Sequence, residues 1–165
     1  MFFVGIGIGA DRNVWKILGD LHFKVLMIPV TVIAGTLAGS ALCSIFLPDI
    51  NLADSLAVGS GFGYYSLSSI IISEIRSEIL GVTALLSNIS REIFTLIATP
   101  LLVKIFGRLA PVASGGATSM DTTLPVISKY SGKEYAVLAV FSGIILTVLV
   151  PFIITSIYKI ASLFS

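Results

Sequence analysis

Charged side chains are scarce in this sequence. Only 12% of its 165 residues are Asp, Glu, Lys or Arg, whereas 56% are hydrophobic and the mean hydropathy is +1.04. Soluble domains contain about twice that fraction of charged residues, so this chain has too few of them to cover a water-exposed surface. The composition therefore predicts a protein that is surrounded by lipid. Ten basic residues against nine acidic ones give a net charge of +1, which excludes an extended basic surface for nucleic acid.

Cysteine and histidine are almost absent as well. Cys43 is the only cysteine, which excludes an internal disulfide and a cysteine-based metal cluster. The only histidine, His22, lies far along the chain from any candidate serine, and no nucleotide-binding motif such as a P-loop is present. The sequence therefore predicts a protein that is not an enzyme and that holds no metal and no cofactor.

Long uncharged stretches predict transmembrane helices. Residues 25–48 and 135–158 contain no charge, and each is long enough to cross the roughly 30 Å core of a bilayer. A third span, 79–103, carries Asn88, Arg91 and Glu92 near its middle, where they must face protein or water because charge is costly in lipid. Small residues in the first span are expected to let another helix approach closely: Gly35, Ala38, Gly39 and Ala41.

Two further apolar stretches, 52–73 and 109–127, are poor candidates for continuous helices. The first contains Gly59, Gly61 and Gly63, and the second contains adjacent glycines and two prolines. Freed backbone amides need partners that lipid does not offer, so both stretches are predicted to be broken or re-entrant segments around a wet cavity. The predicted fold class is an all-α, polytopic membrane protein with about three full transmembrane helices and two such hairpins.

Positive charges orient this arrangement. Basic residues crowd the start of the first helix, and re-entrant paths for both broken stretches keep the remaining loop lysines and arginines on the cytoplasmic side, as the positive-inside rule favours. Two hairpins of opposite orientation are then expected to meet near the midplane, as in inverted-repeat transporters. Residues 1–24 are interpreted as a truncated helix and a basic cytoplasmic segment, and residues 25–165 as the membrane transport domain.

Asp121 is the strongest candidate for a cation-binding residue. It lies among small and hydroxylated residues inside an apolar region, where a carboxylate supplies charge and hydroxyls and backbone carbonyls supply further oxygens. The alternative is that Asp121 caps a half-helix. The predicted ligand set around it contains Gly116, Thr118, Ser119 and Thr122.

Asn88, Arg91 and Glu92 are spaced at i, i+3 and i+4, so they share roughly one face of a helix. Glu92 is a candidate for binding a substrate ammonium group or a coupling proton, and Arg91 for holding a carboxylate. The alternative is an internal ion pair that joins two helices.

The tract 60–68 is rich in glycine, tyrosine and serine, and it is predicted to line a cavity and place an aromatic ring against a cationic group. A helix-packing seam is the alternative. Glu74, close after this tract, is a secondary candidate. The residues of the tract assigned to the site are Tyr64, Tyr65, Ser66 and Ser68.

Three motifs together resemble the lysine exporter family: GFGYYSLS at residues 61–68, NISRE at 88–92 and GATSMDTTLPV at 116–126. They occur in the family's order and with similar spacing, and nearly the whole chain is similar to the family's C-terminal half. The resemblance implies export of L-lysine and its toxic analogues across the cytoplasmic membrane. Since no nucleotide-binding motif is present, exchange with protons or sodium ions is the expected energy source.

Members of that family carry an additional N-terminal membrane half. A separately encoded half or a homo-oligomer is therefore the expected partner, besides lysine or a similar cation and membrane lipid. Two alternatives in function stay open at this point. The first is a transporter of another amino acid or organic ion, and the second is a non-transporting membrane scaffold whose polar residues only hold helices together.

Overall fold

A computed structural model of the chain describes residues 22–47 and 49–163, with side chains from residue 26 onward. All regular structure in these ranges is helical, which confirms the all-α prediction for them. The predicted truncated helix and basic segment lie, up to residue 21, outside the described residues. The helices are α1 (His22–Phe46), α2 (Leu52–Gly59), α3 (Tyr65–Ile75), α4 (Glu78–Phe106), α5 (Ala110–Gly115), a 3-10 helix (Gly116–Met120), α6 (Leu124–Ser131) and α7 (Lys133–Ala161).

Two helices of the described part, over Leu26–Phe46 and Lys133–Ala161, are long and apolar enough to cross a membrane. The predicted third span falls in α4, which has 29 residues but carries charges along its length. The ends of α4 follow from local chemistry. The Ser77 side chain accepts a hydrogen bond from the amide of Leu80, and Gly107 stops the helix at a φ of 87°.

The first broken segment consists of α2, a non-helical tip at residues 60–64, and α3. Its two helices contain 8 and 11 residues, so they reach only about 12 Å and 17 Å, well short of a bilayer core. Phe62 and Gly63 take positive φ values of 47° and 98° at the tip. The break therefore lies where the sequence predicts it, in the glycine tract.

The second broken segment consists of α5, the 3-10 helix and α6. A proline occupies the first turn of both α5 and α6, where its missing amide costs no helical hydrogen bond. Gly116 has a φ of 60° and separates α5 from the 3-10 helix. Like the first broken segment, this one contains no helix long enough to span a membrane.

The open ends of the two broken segments lie at opposite ends of α7. In the first segment, Asp54 near the start of α2 pairs with Arg76 just after α3 at 3.2 Å, and both line an opening together with Tyr158 near the end of α7. In the second segment, α6 ends at Ser131, and α7 begins two residues later at Lys133. The two segments therefore extend from opposite ends toward the middle of the protein.

The core has two hydrophobic clusters, and α1 contributes little to them. The larger cluster includes Phe62, Ile72 and Leu146, and the smaller one joins α5, α6 and α7. Only 11% of the α1 span is buried against the rest of the chain. A Cβ atom added at Gly35 or Gly39 would meet nothing within 4 Å, so the expected close packing at these glycines is not made within the described chain.

Candidate functional site

The tip of the first broken segment, residues 60–64, directly contacts the tip of the second, which is formed by residues 113–120 at the end of α5 and in the 3-10 helix. The Ala117 amide donates a 2.8 Å hydrogen bond to the carbonyl of Phe62. Glycine permits this approach, because a Cβ atom at Gly116 would collide with the Phe62 carbonyl oxygen. One at Gly63 would lie 3.0 Å from the Gly115 carbonyl oxygen. The adjacent glycines of the sequence therefore serve a tight backbone junction between the two tips.

A cleft of about 140 Å³ opens beside this junction, large enough for several water molecules. We call it the acidic cleft, because the described residues that line it include two carboxylates, Glu92 and Asp121, and no basic side chain. Seven of the thirteen predicted site residues line it: Tyr64, Tyr65, Ser66, Glu92, Thr118, Asp121 and Thr122.

The acidic cleft lies halfway along both long helices. Glu92 is the central residue of α4, with equal numbers of helical residues before and after it, and Thr147 is the central residue of α7. Both helices contain 29 residues and are therefore about 43 Å long. The cleft therefore lies midway between the two ends of α4 and of α7.

Asp121 ends the 3-10 helix and is exposed. One of its carboxylate oxygens accepts hydrogen bonds from the backbone amide and the hydroxyl of Thr122, the next residue. The N-cap of α6 is Thr123, and no side chain caps that helix. The capping alternative for Asp121 is therefore not what the structure shows, and its carboxylate retains lone pairs for a ligand in the cleft.

Glu92 is partly buried at the centre of α4. Within the described ranges its carboxylate makes no ion pair, and Arg91 beside it pairs with no carboxylate either. The internal ion pair considered from the sequence is thus not formed in this part of the chain. A partly buried carboxylate that opens on a polar cleft is chemically suited to a cationic ligand.

Asn88 binds the first tip through hydrogen bonds but does not line the acidic cleft. Its side-chain oxygen accepts a 2.7 Å hydrogen bond from the amide of Gly63, and its nitrogen donates to the carbonyls of Val58 and Ala84 at 3.1 Å and 2.8 Å. The residue is buried, with 3% of its surface exposed. Asn88 therefore fixes the tip that borders the acidic cleft instead of lining the cleft.

Arg91 serves the second tip in the same way. Its guanidinium donates to the carbonyls of Ser114 and Ala113 at 2.8 Å and 3.0 Å, and to the hydroxyl of Thr36 at 3.2 Å. It joins α4 to the last turn of α5 and to α1. Arg91 does not line the acidic cleft, although Glu92 next to it does.

The remaining predicted residues are also outside the acidic cleft. Ser119 is fully buried and donates to the carbonyls of Gly116 and Ala139 at 2.6 Å and 2.9 Å. Ser68 is buried and donates to the Tyr64 carbonyl at 2.9 Å. Glu74 is exposed near the end of α3, away from the cleft.

Sequence reasoning missed four residues that line the acidic cleft: Gly63, Ala117, Met120 and Thr147. Three of them belong to motifs already noted, but Thr147 lies in the middle of an uncharged stretch that was interpreted only as a membrane span. Its hydroxyl at the centre of that stretch is the signal that could have identified it.

Comparison with known proteins gives a consistent result. A family profile described as "Lysine exporter LysO" matches residues 1–158. The chain is 33% identical to the lysine exporter LysO of Escherichia coli over 93% of its own length, and it spans 50% of that protein. It is also 33% identical to a putative lysine exporter of Haemophilus influenzae over 93% of its length, and it spans 77% of that protein.

No solved structure matches the chain. The family match covers nearly all of the sequence, including the two tips and the acidic cleft between them. It agrees with the resemblance carried by the three motifs. The chain therefore belongs to the lysine exporter LysO family of membrane transport proteins.

Proposed function

We propose that this chain forms the core of a carrier that exports L-lysine and its analogues across the cytoplasmic membrane in exchange for protons or sodium ions. The observation that carries the proposal is the acidic cleft, where Glu92 and Asp121 face one space beside the junction of two broken helical segments. Lysine carries two ammonium groups, and two carboxylates in one cleft complement them. The relatives in Escherichia coli and Haemophilus influenzae are described as an exporter and a putative exporter of lysine.

Two carboxylates in one cleft also suit the exchange of lysine for protons or sodium ions. A cation bound between them screens their mutual repulsion, and its departure leaves a site that attracts a proton or sodium ion. Thr118, Thr122 and Thr147 line the same cleft, and their side-chain oxygens are further potential ligands for a small cation. Competition for one site between lysine and the coupling ion then links their movements in opposite directions.

In the proposed membrane topology α1, α4 and α7 cross the bilayer, and the two broken segments re-enter from opposite sides. The end with α6 is cytoplasmic in this topology, because Lys104, Arg108, Lys129 and Lys133 lie in or beside the second broken segment. Acidic residues prevail at the other end, which holds Asp49, Asp54, Glu74 and Glu78. The acidic cleft is then close to the midplane, where substrate sites of secondary transporters lie.

The proposed transporting unit contains a further membrane subunit, which is either a second copy of this chain or a separately encoded N-terminal half. The exposed face of α1 supports this, because its glycines at 35 and 39 have open space around them. Small residues at such positions let helices approach closely in lipid.

Efflux in cells tests the proposal. The chain is expressed in bacteria whose own lysine exporter is deleted, the cells are loaded with labelled lysine, and efflux is followed for the wild type, Glu92→Gln and Asp121→Asn. We expect efflux from the wild type and at least about a tenfold loss in each variant, because each loses a charge-assisted contact worth roughly 1.5–3 kcal/mol. Membrane abundance is measured in parallel.

Ser90→Ala is the matched control, since Ser90 is exposed on α4 two residues before Glu92 and does not line the acidic cleft. Efflux that persists at the wild-type rate in both carboxylate variants would remove the acidic cleft from the mechanism. If a neutral or anionic amino acid inhibits lysine efflux by competition and lysine analogues do not, the cargo is a different solute.

A further inference from the structure

A second cleft, of about 420 Å³, lies between α1, α2 and α4 and shares no lining residue with the acidic cleft in the described ranges. We call it the arginine cleft. Among the described residues, Arg91 is the only charged one that lines it. Five hydroxyl side chains surround the same space: Thr36, Ser40, Ser55, Thr83 and Ser87.

The charge of Arg91 has no counter-ion in the described part of the chain. All three hydrogen bonds of its guanidinium go to neutral acceptors, namely two backbone carbonyls and the Thr36 hydroxyl. A guanidinium has five N–H donors, so two are left over. A cation held within a membrane protein is costly unless an anion or water compensates it. Among the described residues no carboxylate lines the arginine cleft, which leaves room for an anion beside the guanidinium.

The walls of the arginine cleft are polar along two helices. Thr83, Ser87 and Arg91 follow one another at intervals of four residues and thus form one stripe on α4, and Thr36 and Ser40 do the same on α1. Ser87 lies one turn from Arg91, within reach of a group bound to the guanidinium. Hydroxyls beside a guanidinium are suited to the two oxygens of a carboxylate.

The two clefts flank the tip junction and carry opposite charge. Gly116 faces Arg91, since a Cβ atom there would lie 3.2 Å from a guanidinium nitrogen, whereas the next residue, Ala117, lines the acidic cleft. Arg91 and Glu92 are likewise consecutive, so their side chains point about 100° apart around α4. An amino acid with ammonium and carboxylate groups thus meets a complementary cleft for each.

We propose that the arginine cleft is a second substrate site, which binds the carboxylate group of an amino acid through Arg91 and Ser87 on the other side of the tip junction. This inference rests on the proposed transport function. In this proposal Arg91 binds the carboxylate of an amino acid in addition to the backbone carbonyls of the second tip. As a second site, the arginine cleft binds a cargo molecule by its carboxylate, whereas the acidic cleft binds one by its ammonium groups.

Cys43 offers a direct test, because it lines the arginine cleft and is the only cysteine of the chain. The purified full chain in lipid nanodiscs is alkylated with N-ethylmaleimide, which is neutral, in the presence of L-lysine, 6-aminohexanoate, cadaverine or inorganic phosphate. A bound ligand slows labelling by 1 + [L]/Kd, which is about tenfold at ten times the Kd. We expect protection by lysine and 6-aminohexanoate, which have a carboxylate, and none by cadaverine, which lacks one.

Two variants and a control complete the test. Arg91→Lys keeps the charge and retains part of the protection, whereas Ser87→Asp places a carboxylate one turn from Arg91, neutralises it and abolishes protection without removing the bonds to the second tip. Ser90→Ala is protected like the wild type. Three results would each overturn the proposal: equal protection of Cys43 by lysine and cadaverine, full protection in Ser87→Asp, or protection by phosphate alone. The last result would identify a general anion site, such as one for a lipid phosphate.

The outcomes separate this inference from the proposed function. Lysine efflux that depends on Glu92, with no protection of Cys43 by any carboxylate, would discard the arginine cleft alone. Protection of Cys43 by carboxylates without lysine efflux would discard lysine export and leave the anion site standing.

Discussion

The amide of Ala117 donates a 2.8 Å hydrogen bond to the carbonyl of Phe62, and this bond joins the tips of the two broken helical segments. Each tip is in turn held by a side chain from the middle of α4. Asn88 binds the first tip at Gly63, and Arg91 binds the second at Ala113 and Ser114. One helix therefore fixes the junction that separates the acidic cleft from the arginine cleft.

Gly116 is expected to be the least replaceable glycine of the junction. Gly116→Ala brings a Cβ atom into the Phe62 carbonyl, in addition to the strain of a φ of 60°. Gly107→Ala is a matched control, because Gly107 also has a positive φ, 87°, but open space around it. In thermal unfolding in detergent, Gly107→Ala should lose about 1–3 kcal/mol for the backbone strain alone, and Gly116→Ala clearly more. Equal losses would show that the two tips do not meet as described.

Asn88→Ala is predicted to destabilise the protein by about 2 kcal/mol or more. The change leaves the buried amide of Gly63 without its acceptor, and an unpaired buried polar group costs roughly 1–3 kcal/mol. Ser90→Ala, on the exposed side of the same helix, should remain within about 0.5 kcal/mol of the wild type. The measurement is the free energy of unfolding in denaturant, and an effect of Asn88→Ala no larger than that of the control would contradict the assignment.

Thr147→Val is predicted to weaken lysine binding without loss of stability. Valine has nearly the shape of threonine, so only the hydroxyl that faces the acidic cleft is lost. The one hydrogen bond that this hydroxyl makes within the described residues is a long one, 4.0 Å to the sulfur of Met120. If the hydroxyl contacts a charged ligand, KM for lysine efflux rises about tenfold while abundance stays unchanged. Thr155→Val, two turns further along α7 and exposed, is the control, and equal KM values in both variants would exclude Thr147 from the site.

Labelling from the two sides of the membrane tests the topology. In a Cys43→Ser background, Asp49→Cys and Lys129→Cys each place one exposed thiol near an opposite end of the protein. A membrane-impermeant maleimide added to intact cells should label the first and not the second, because the positive-inside rule puts Lys129 in the cytoplasm. Labelling of both positions, or of Lys129→Cys only, would refute the proposed orientation.

The helical breaks were predictable because their causes are local. Glycine near residues 59–63 and the proline-glycine pattern of residues 111–125 disfavour a continuous helix whatever surrounds them, and the structure breaks the chain in both places. The predicted spans fall within a few residues of α1, α4 and α7 for a similar reason. The family, too, was recognisable from three short motifs, and the comparisons confirm it.

The directions of the polar side chains were not predictable in this way. The spacing of Asn88, Arg91 and Glu92 suggested one polar face, but the three side chains lead to the first tip, the second tip and the acidic cleft. Residues within about 100° of arc share a face only loosely, and what each one meets depends on helices distant in the sequence. The same holds for Ser119, which is buried against α7, and for Thr147, which joins the cleft from that helix.

The sequence by itself determined that lipid surrounds this protein, that its fold is helical, where the two broken segments lie and which family it belongs to. Hydropathy, glycine and proline act over a few neighbouring residues, so these features can be read from short stretches of sequence. Only the tertiary structure decided that Glu92 and Asp121 share a cleft while Arg91 opens on another. The physical reason is that the tips meet through backbone contacts between segments more than fifty residues apart in the sequence, and the place of each side chain follows from that junction.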